Sequence, residues 1–259
     1  MSSSVATSAQ YTRHSILRYE KIFGEGFVST GGTKVTASFC DDIDFTPGFK
    51  VLDIGSGLGG AAFYMADKYG ASVEGIDISP VMLEIANERA QEKGYNEVRF
   101  KLDDIRTMAY EPSSFDLVWS RDTLLHIPEK QELFEKVHNW LGDGGQVMIT
   151  DYARNTGGLS NNFQQYVSQS GYDLHDLEGY GELFKKAGFQ EVIVEDWTEE
   201  FMNTLKLECE QLQKNREHFL DVFTESDLDY LLERWQRKIV FCEQGDMKAG
   251  KWRARSRKS

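Results

Sequence analysis

The sequence predicts an α/β protein built on a mostly parallel sheet with helices on both faces. Three observations predict it. Short apolar runs alternate with helical stretches from Phe49 onward. A glycine-rich turn, Gly55-Ser56-Gly57-Leu58-Gly59-Gly60, directly follows the first run. Acids stand at the ends of successive runs, at Asp53, Asp77 and Asp103-Asp104. Alternating β and α segments imply parallel strands, because parallel neighbours need crossover connections that lie on the sheet faces.

Ahead of the alternation, Ser15 to Phe23 carries apolar residues at helical spacing, closed by Gly24 and Gly26. Thr30-Gly31-Gly32-Thr33 is a turn suited to start a second helix reaching Cys40, and Pro47-Gly48 is another turn. Lys50 to Ile54 is the first strand, and a helix follows the glycine turn to about Tyr69. Ser72 to Asp77 is the second strand. Ser79 as N-cap and Pro80 in the first position open a helix to about Lys93. Glu97 to Phe100 and Ser114 to Trp119 are strands three and four. A helix from Pro128 to about Leu141, a tight turn over Gly142-Asp143-Gly144-Gly145 and a fifth strand from Gln146 to Thr150 follow. Tyr152 to His175 is polar and aromatic without a regular period. Leu177 to Ala187 is a helix stopped by Gly188, and Glu191 to Glu195 is strand six. Two long helices, Thr198 to Phe219 and Ser226 to Phe241, precede a final strand near Trp252 to Arg255. Inserted there, they are expected to form a lid over the carboxyl ends of the strands. The expected organisation is one domain in three parts: a helical cover over 1–45, a cofactor-binding core over 46–151, and the remaining sheet with its lid helices over 152–259.

A chain of 259 residues suits one large domain. A formal net charge of −13 argues against nucleic acid and anionic membrane as partners. No apolar run approaches the roughly 20 residues that span a bilayer, and the Ser- and Ala-rich start does not read as a signal peptide. Cys40, Cys209 and Cys242 are odd in number and far apart, without disulfide or zinc spacing. The expectation is a cytoplasmic, metal-free monomer acting on a small molecule. The basic tail Lys251, Arg253, Arg255, Arg257 and Lys258 is expected to be the solubilising end of the last strand.

The glycine turn lets the backbone approach a ligand closely, and the helix after it presents unpaired N–H groups. Asp77 is placed to accept hydrogen bonds from two ribose hydroxyls. The glycine spacing alone also satisfies the dinucleotide fingerprint. Three features favour S-adenosylmethionine. Asp53 precedes the first glycine by two residues, where it would face an ammonium but crowd a pyrophosphate. Asp103-Asp104-Ile105 offers an acceptor for an adenine amino group. The turn lies well inside the chain, behind a helical arm.

Motifs outside the turn carry a more specific likeness: Gln10-Tyr11-Thr12, Tyr19-Glu20-Lys21-Ile22-Phe23-Gly24, Phe27-Val28-Ser29-Thr30-Gly31-Gly32, Ser120-Arg121-Asp122 through His126, Thr150-Asp151-Tyr152, Gly171-Tyr172-Asp173-Leu174-His175 and Arg237-Lys238. On them the chain, from about Gln10 to Lys238, resembles the phosphoethanolamine N-methyltransferases, class I methyltransferases that convert phosphoethanolamine to phosphocholine in up to three rounds. The resemblance implies a Rossmann-like core with a mostly seven-stranded parallel sheet. It also implies that Tyr11 and His126 close over the substrate amine for catalysis. An ammonium has no lone pair to attack a sulfonium methyl, so a base such as His126 must accept a proton. Asp122, four residues earlier and on the same face if the segment is helical, is suited to orient the imidazole or hold a cationic amine.

By the same resemblance Tyr152, Tyr166, Tyr172 and Lys238 hold the substrate phosphate, and Tyr19 touches both substrate and cofactor. Gln10, Tyr19, Val28 and Ser29 belong to the cover. The cofactor set is completed by Asp53, Gly55, Gly57, Asp77, Ile78, Asp104, Ile105, Ser120 and Arg121. One departure matters. Ser170 stands where the family usually has arginine, which removes a charge from the phosphate pocket. Either the phosphate is held more weakly, or another basic residue substitutes, or the substrate is a different small zwitterion such as a betaine precursor or a thioether. The ending Lys251-Trp252-Arg253-Ala254-Arg255 also departs from the family's aromatic one.

Overall fold

The structure is a computed structural model that describes residues 12–258. Gln10 and Tyr11 lie outside the described residues. Two helices come first, α1 (Arg13–Phe23) and α2 (Gly32–Cys40). Thr12 caps α1 by accepting from the Ser15 N–H, and Gly24 closes it. The sheet then begins with β1 (Lys50–Ile54), α3 (Gly60–Tyr69), β2 (Ser72–Asp77), α4 (Pro80–Lys93), β3 (Val98–Leu102) and β4 (Phe115–Arg121). α5 (Lys130–Trp140) leads into β5 (Leu141–Arg154), followed by α6 (Asn161–Ser170), α7 (Leu177–Lys186) and β6 (Gln190–Asp196). Last come α8 (Thr198–Lys214), α9 (Arg216–Leu220), α10 (Glu225–Glu243) and β7 (Met247–Arg255).

The seven strands form one sheet in the order β3-β2-β1-β4-β5-β7-β6, with β7 antiparallel to both neighbours. The strand order reverses at β1, between β2 and β4. That is the switch point where ligands bind beyond the carboxyl ends of an open α/β sheet. β1 and β4 read as near-continuous apolar runs because both of their faces are covered. Ser79 caps α4 by accepting from the Met82 N–H, and Pro80 takes the first helical position, as expected from the sequence.

Four elements differ from expectation. Gly142 to Gly145 is not a separate turn: β5 runs through it, with a register shift against β4 between Phe115 and Leu117. β5 also continues to Arg154, because β7 supplies ladder partners as far as Met247. The polar stretch after Tyr152 contains α6, capped by Ser160 at one end and by Gly171 at the other. The first long helix breaks at Asn215 into α8 and α9. Finally, the basic tail is no solvated end. Lys251, Arg253 and Arg255 alternate with buried Trp252 and Ala254 in an interior strand. They pair with Asp42, Glu195, Asp44 and Glu191.

α8 packs on α10, and both approach β7, while α1 lies against α8. Among the described residues no helix is long and apolar enough to cross a membrane.

Candidate active site

The turn after β1 is held by backbone bonds. Gly55 and Ser56 donate to the Ile76 carbonyl at 2.8 and 3.1 Å. Gly55 has φ +77°, and a Cβ there would meet the Thr123 hydroxyl at 2.1 Å, so only glycine fits. Asp77 organises the turn from the next strand. One carboxylate oxygen accepts from Gly57 N at 2.9 Å and the other from Ser79 N at 2.8 Å. Burial raises its pKa while those backbone donors oppose the rise. Each oxygen keeps acceptor capacity for a ribose hydroxyl.

Asp53 is buried, and its Oδ2 has no hydrogen-bond partner among the described residues. Burial, and then the Asp77 charge, push its pKa up to about 7, against the pull of Arg121. An ammonium brought to this oxygen would restore a full carboxylate. Beside it, Ile78 is 74% exposed and Leu102 is 56% exposed, two apolar side chains bared at neighbouring strand ends. An orphaned carboxylate, a glycine cradle and apolar faces suited to a flat base together fit an amino-acid nucleoside such as S-adenosylmethionine.

Other predicted cofactor residues are placed differently. The Asp104 carboxylate is engaged by the Arg106 guanidinium at 2.6 to 3.0 Å, and Ile105 is buried in the core. Ser120 is buried and donates to the Ile54 carbonyl at 2.8 Å. The Arg121 side chain turns toward the cover. It donates to the Thr30 carbonyl at 2.7 Å and the Thr36 hydroxyl at 2.9 Å. Val28 lies against the turn, 3.2 Å from where a Gly57 Cβ would stand, and Ser29 caps the approach to α2 through its carbonyl. Glu208 on α8, which sequence reasoning missed, fastens the same cover. It accepts from Gly31 N and from Trp235 Nε1, each at 2.7 Å. Its only signal was an acid on the buried α8 face of Leu205 and Leu212.

Asp122 directly follows β4 in the left-handed region, at φ +52°, with its N–H donating to the Thr150 carbonyl at 2.8 Å. A side chain there costs about 1 kcal/mol or more, a strain that aspartate tolerates better than most residues. The residues after it form a single 3-10 turn, Leu124–His126. Asp122 and His126 therefore do not share a helix face, and the four-residue spacing does not put them together. Their link is through the pocket. The His126 ring meets Tyr172 at 5.1 Å, Tyr172 meets Tyr152 at 6.0 Å and Tyr166 at 5.7 Å. Lys238 donates to the Tyr152 hydroxyl at 2.7 Å. Burial raises the Asp122 pKa, opposed by Arg121 and Lys238.

Burial, and then the Arg234 charge, lower Lys238 to about 8, while Asp122 and Glu208 resist. The Tyr166 hydroxyl is buried and has no hydrogen-bond partner among the described residues. Tyr19 stacks on Trp235 at 6.0 Å and meets the Tyr230 hydroxyl at 3.5 Å. The turn carrying His126 is tied down by Lys130, a fully buried lysine that sequence reasoning also missed. Its ammonium donates to the Ile127 carbonyl, the Asp173 carbonyl and the Asp173 carboxylate at 2.8 to 2.9 Å. Tyr172 is thereby held next to His126.

A sheet of this order, with a glycine turn after β1 and an acid closing β2, defines a class I methyltransferase. The methyltransferase-domain family matches residues 45–233. The chain is 44% identical over 243 residues to phosphoethanolamine N-methyltransferase 1 of Arabidopsis thaliana, covering 94% of this chain and 49% of that one. It is 39% identical to the phosphoethanolamine N-methyltransferase of Plasmodium falciparum, covering 89% of this chain and 87% of that one. Haemonchus contortus phosphoethanolamine N-methyltransferase 2, solved with phosphomonomethylethanolamine and S-adenosylhomocysteine, superposes with a TM-score of 0.93 at 35% identity. That superposition covers 96% of this chain and 58% of the other. The chain thus spans about half the length of its plant relatives and most of the Plasmodium one. It belongs to the phosphoethanolamine N-methyltransferase family.

Proposed function

We propose that the chain transfers methyl groups from S-adenosylmethionine to the nitrogen of phosphoethanolamine, its mono- and dimethyl forms, or both, toward phosphocholine. One observation carries this reading: a lysine and three phenols converge beside His126 and Asp122 at the carboxyl ends of β4 and β5. Three phenols that stay protonated and an ammonium are donors for a dianion. At the other end of the site, Asp53 would hold the cofactor's ammonium, Asp77 its ribose, and Ile78 the face of its adenine. The cofactor supplies an electrophilic methyl group.

The protein's own residues do the rest. Tyr152, Tyr166, Tyr172 and Lys238 hold the phosphate, so the amine end of the substrate points toward β4. Asp122, a half-buried carboxylate, attracts the amine as a cation. His126 takes its proton, leaving a lone pair for in-line attack. Tyr11, outside the described residues, would close over the amine with His126. α1, α2 and their loop, fastened by Arg121 and Glu208, form the cover with Tyr19, Val28 and Ser29, which Gln10, outside the described residues, would complete. α8 and α10 form the lid, and together these elements exclude water. The same reading has the chain act as a cytoplasmic monomer on a small molecule. The −13 charge and the free thiols support it.

The direct test is mass-spectrometric detection of methylated product. The purified chain is offered phosphoethanolamine, its mono- and dimethyl forms, and dimethylglycine. Methylation of dimethylglycine alone would overturn the phosphobase reading.

The pH dependence adds a second test. Lys238 is charged below about pH 8 and neutral above it. Because an ammonium holds the anion and an amine does not, kcat/KM for phosphoethanolamine should fall as pH rises through about 8. Lys238→Arg, permanently charged, should flatten that limb. A wild-type profile that stays level well into the alkaline range would remove Lys238 from the phosphate site.

A further inference from the structure

We propose that Arg234 is the second cation of the phosphate site and determines the preference for a phosphorylated substrate. The inference rests on the functional reading above for the group that carries the anion. Arg234 lies one helical turn before Lys238 on α10, and Tyr230 one turn before that, so the three side chains form one stripe at four-residue spacing. The stripe faces the pocket, because Lys238 donates to the Tyr152 hydroxyl and Tyr230 meets the Tyr19 hydroxyl.

The Arg234 guanidinium is partly buried. It donates to the Tyr230 hydroxyl at 3.1 Å and lies 5.4 Å from that ring centre. Among the described residues no carboxylate pairs with it, although most arginines of this chain have one. The groups nearest its charge are instead phenols: Tyr19, Tyr230, Tyr172 and Tyr166. A partly desolvated guanidinium without a counter-ion is destabilising on its own and favourable once an anion arrives. Next to it, among the described residues, Lys238 also has no carboxylate in direct contact, and the buried Tyr166 hydroxyl lies beside the Tyr172 phenol without a well-formed hydrogen bond. Two cations beside two buried phenols, in one pocket of an acidic protein, match a phosphate dianion better than a carboxylate.

Ser170 ends α6, two residues before Tyr172. Its hydroxyl lies beside the Tyr172 phenol, which is within electrostatic reach of Arg234. An arginine at 170 would bring its charge to this pocket from the other side. The two positions are therefore alternatives, and an added arginine at 170 should matter only when 234 is empty.

The experiment measures KM and kcat for phosphoethanolamine, and Ki for inorganic phosphate. It compares wild type, Arg234→Ala, Arg234→Lys, and Arg234→Ala combined with Ser170→Arg. Binding of S-adenosylhomocysteine serves as the folding control. Arg234→Ala should raise KM and the phosphate Ki about 10- to 100-fold, the range for a charge-assisted hydrogen bond, with KM moving more than kcat. Cofactor affinity should stay within about twofold, because Arg234 touches none of the turn residues. Arg234→Lys should fall between wild type and Arg234→Ala, and Ser170→Arg should recover part of the loss in the double variant. Unchanged KM and Ki in Arg234→Ala would overturn the inference while leaving the functional reading intact. So would a parallel loss of cofactor binding, which marks a structural role. If wild type turns over no phosphoethanolamine, the functional reading itself fails. The calorimetric Kd of inorganic phosphate for wild type against Arg234→Ala then still decides whether this arginine holds an anion.

Discussion

Replacing His126 by alanine is expected to lower kcat for amine methylation by about 10²- to 10⁴-fold, the range for loss of a general base. Binding of S-adenosylhomocysteine should be little changed, because His126 faces Tyr172 and the phenol pocket and not the glycine turn. The ring is open to solvent on one side. Even so, the protein packed around it and then the Lys130 charge hold its pKa below the ordinary histidine value. The sign follows directly. A base works when neutral, and a lowered pKa keeps it neutral throughout the neutral range. The His126 limb of the wild-type kcat profile should therefore lie on the acid side of the usual imidazole value, and His126→Ala should lose that limb along with most of the rate. Near-wild-type turnover in a folded His126→Ala protein would take His126 out of the mechanism. The proton would then have to leave through another group, Asp122 being the nearest acid of the pocket in this reading.

The proposed cofactor end is legible in the sequence because it is local. Asp53, the glycines and Asp77 sit within two strands and one turn, and the bounds of β1 and β2 match those read from apolar runs. Buried parallel strands leave that clear signature. α6 was not legible, because its ten residues are mostly polar and only the caps Ser160 and Gly171 mark it. The place of β7 was hidden for another reason. Alternation of basic and apolar residues fits an edge strand as well as an interior one, and only the ladders with β5 on one side and β6 on the other separate the two.

The proposed substrate end draws on residues far apart in the chain. Tyr152 comes from β5, Tyr166 from α6, Tyr172 from the loop after it, and Lys238 from α10. The resemblance named them. It did not name Arg234 or Glu208, which lie on helices inserted before the last strand. Their sequence signals, a stripe of Tyr230, Arg234 and Lys238 and an acid on an apolar helix face, are plain only once α8 and α10 are placed. Arg121 illustrates the reverse. Its position beside the site was legible, but the direction of its side chain, toward Thr30 and Thr36, was not.

Asp77→Ala is expected to weaken S-adenosylhomocysteine by about 100-fold or more. The ribose contact alone accounts for about 1.5–3 kcal/mol, the range for hydrogen bonds to a charged group. The structure adds a second loss. The same carboxylate satisfies the N–H groups of Gly57 and Ser79, one in the glycine turn and the other at the head of α4. Alanine leaves both donors without their partner, at about 1–3 kcal/mol for each that stays buried, and frees the turn to move away from the ligand. Stability of the ligand-free protein should therefore fall with cofactor affinity. Asp77→Asn separates the contributions. Its amide oxygen still accepts from one backbone N–H, while its NH₂ group faces the other as a second donor. This variant should keep more of the fold than alanine and still bind the cofactor poorly, because the second ribose acceptor is gone. Calorimetric titration and thermal unfolding of wild type and both variants provide the comparison. An Asp77→Ala protein that unfolds at the wild-type temperature and binds S-adenosylhomocysteine normally would show that this carboxylate neither shapes the turn nor reaches the ribose.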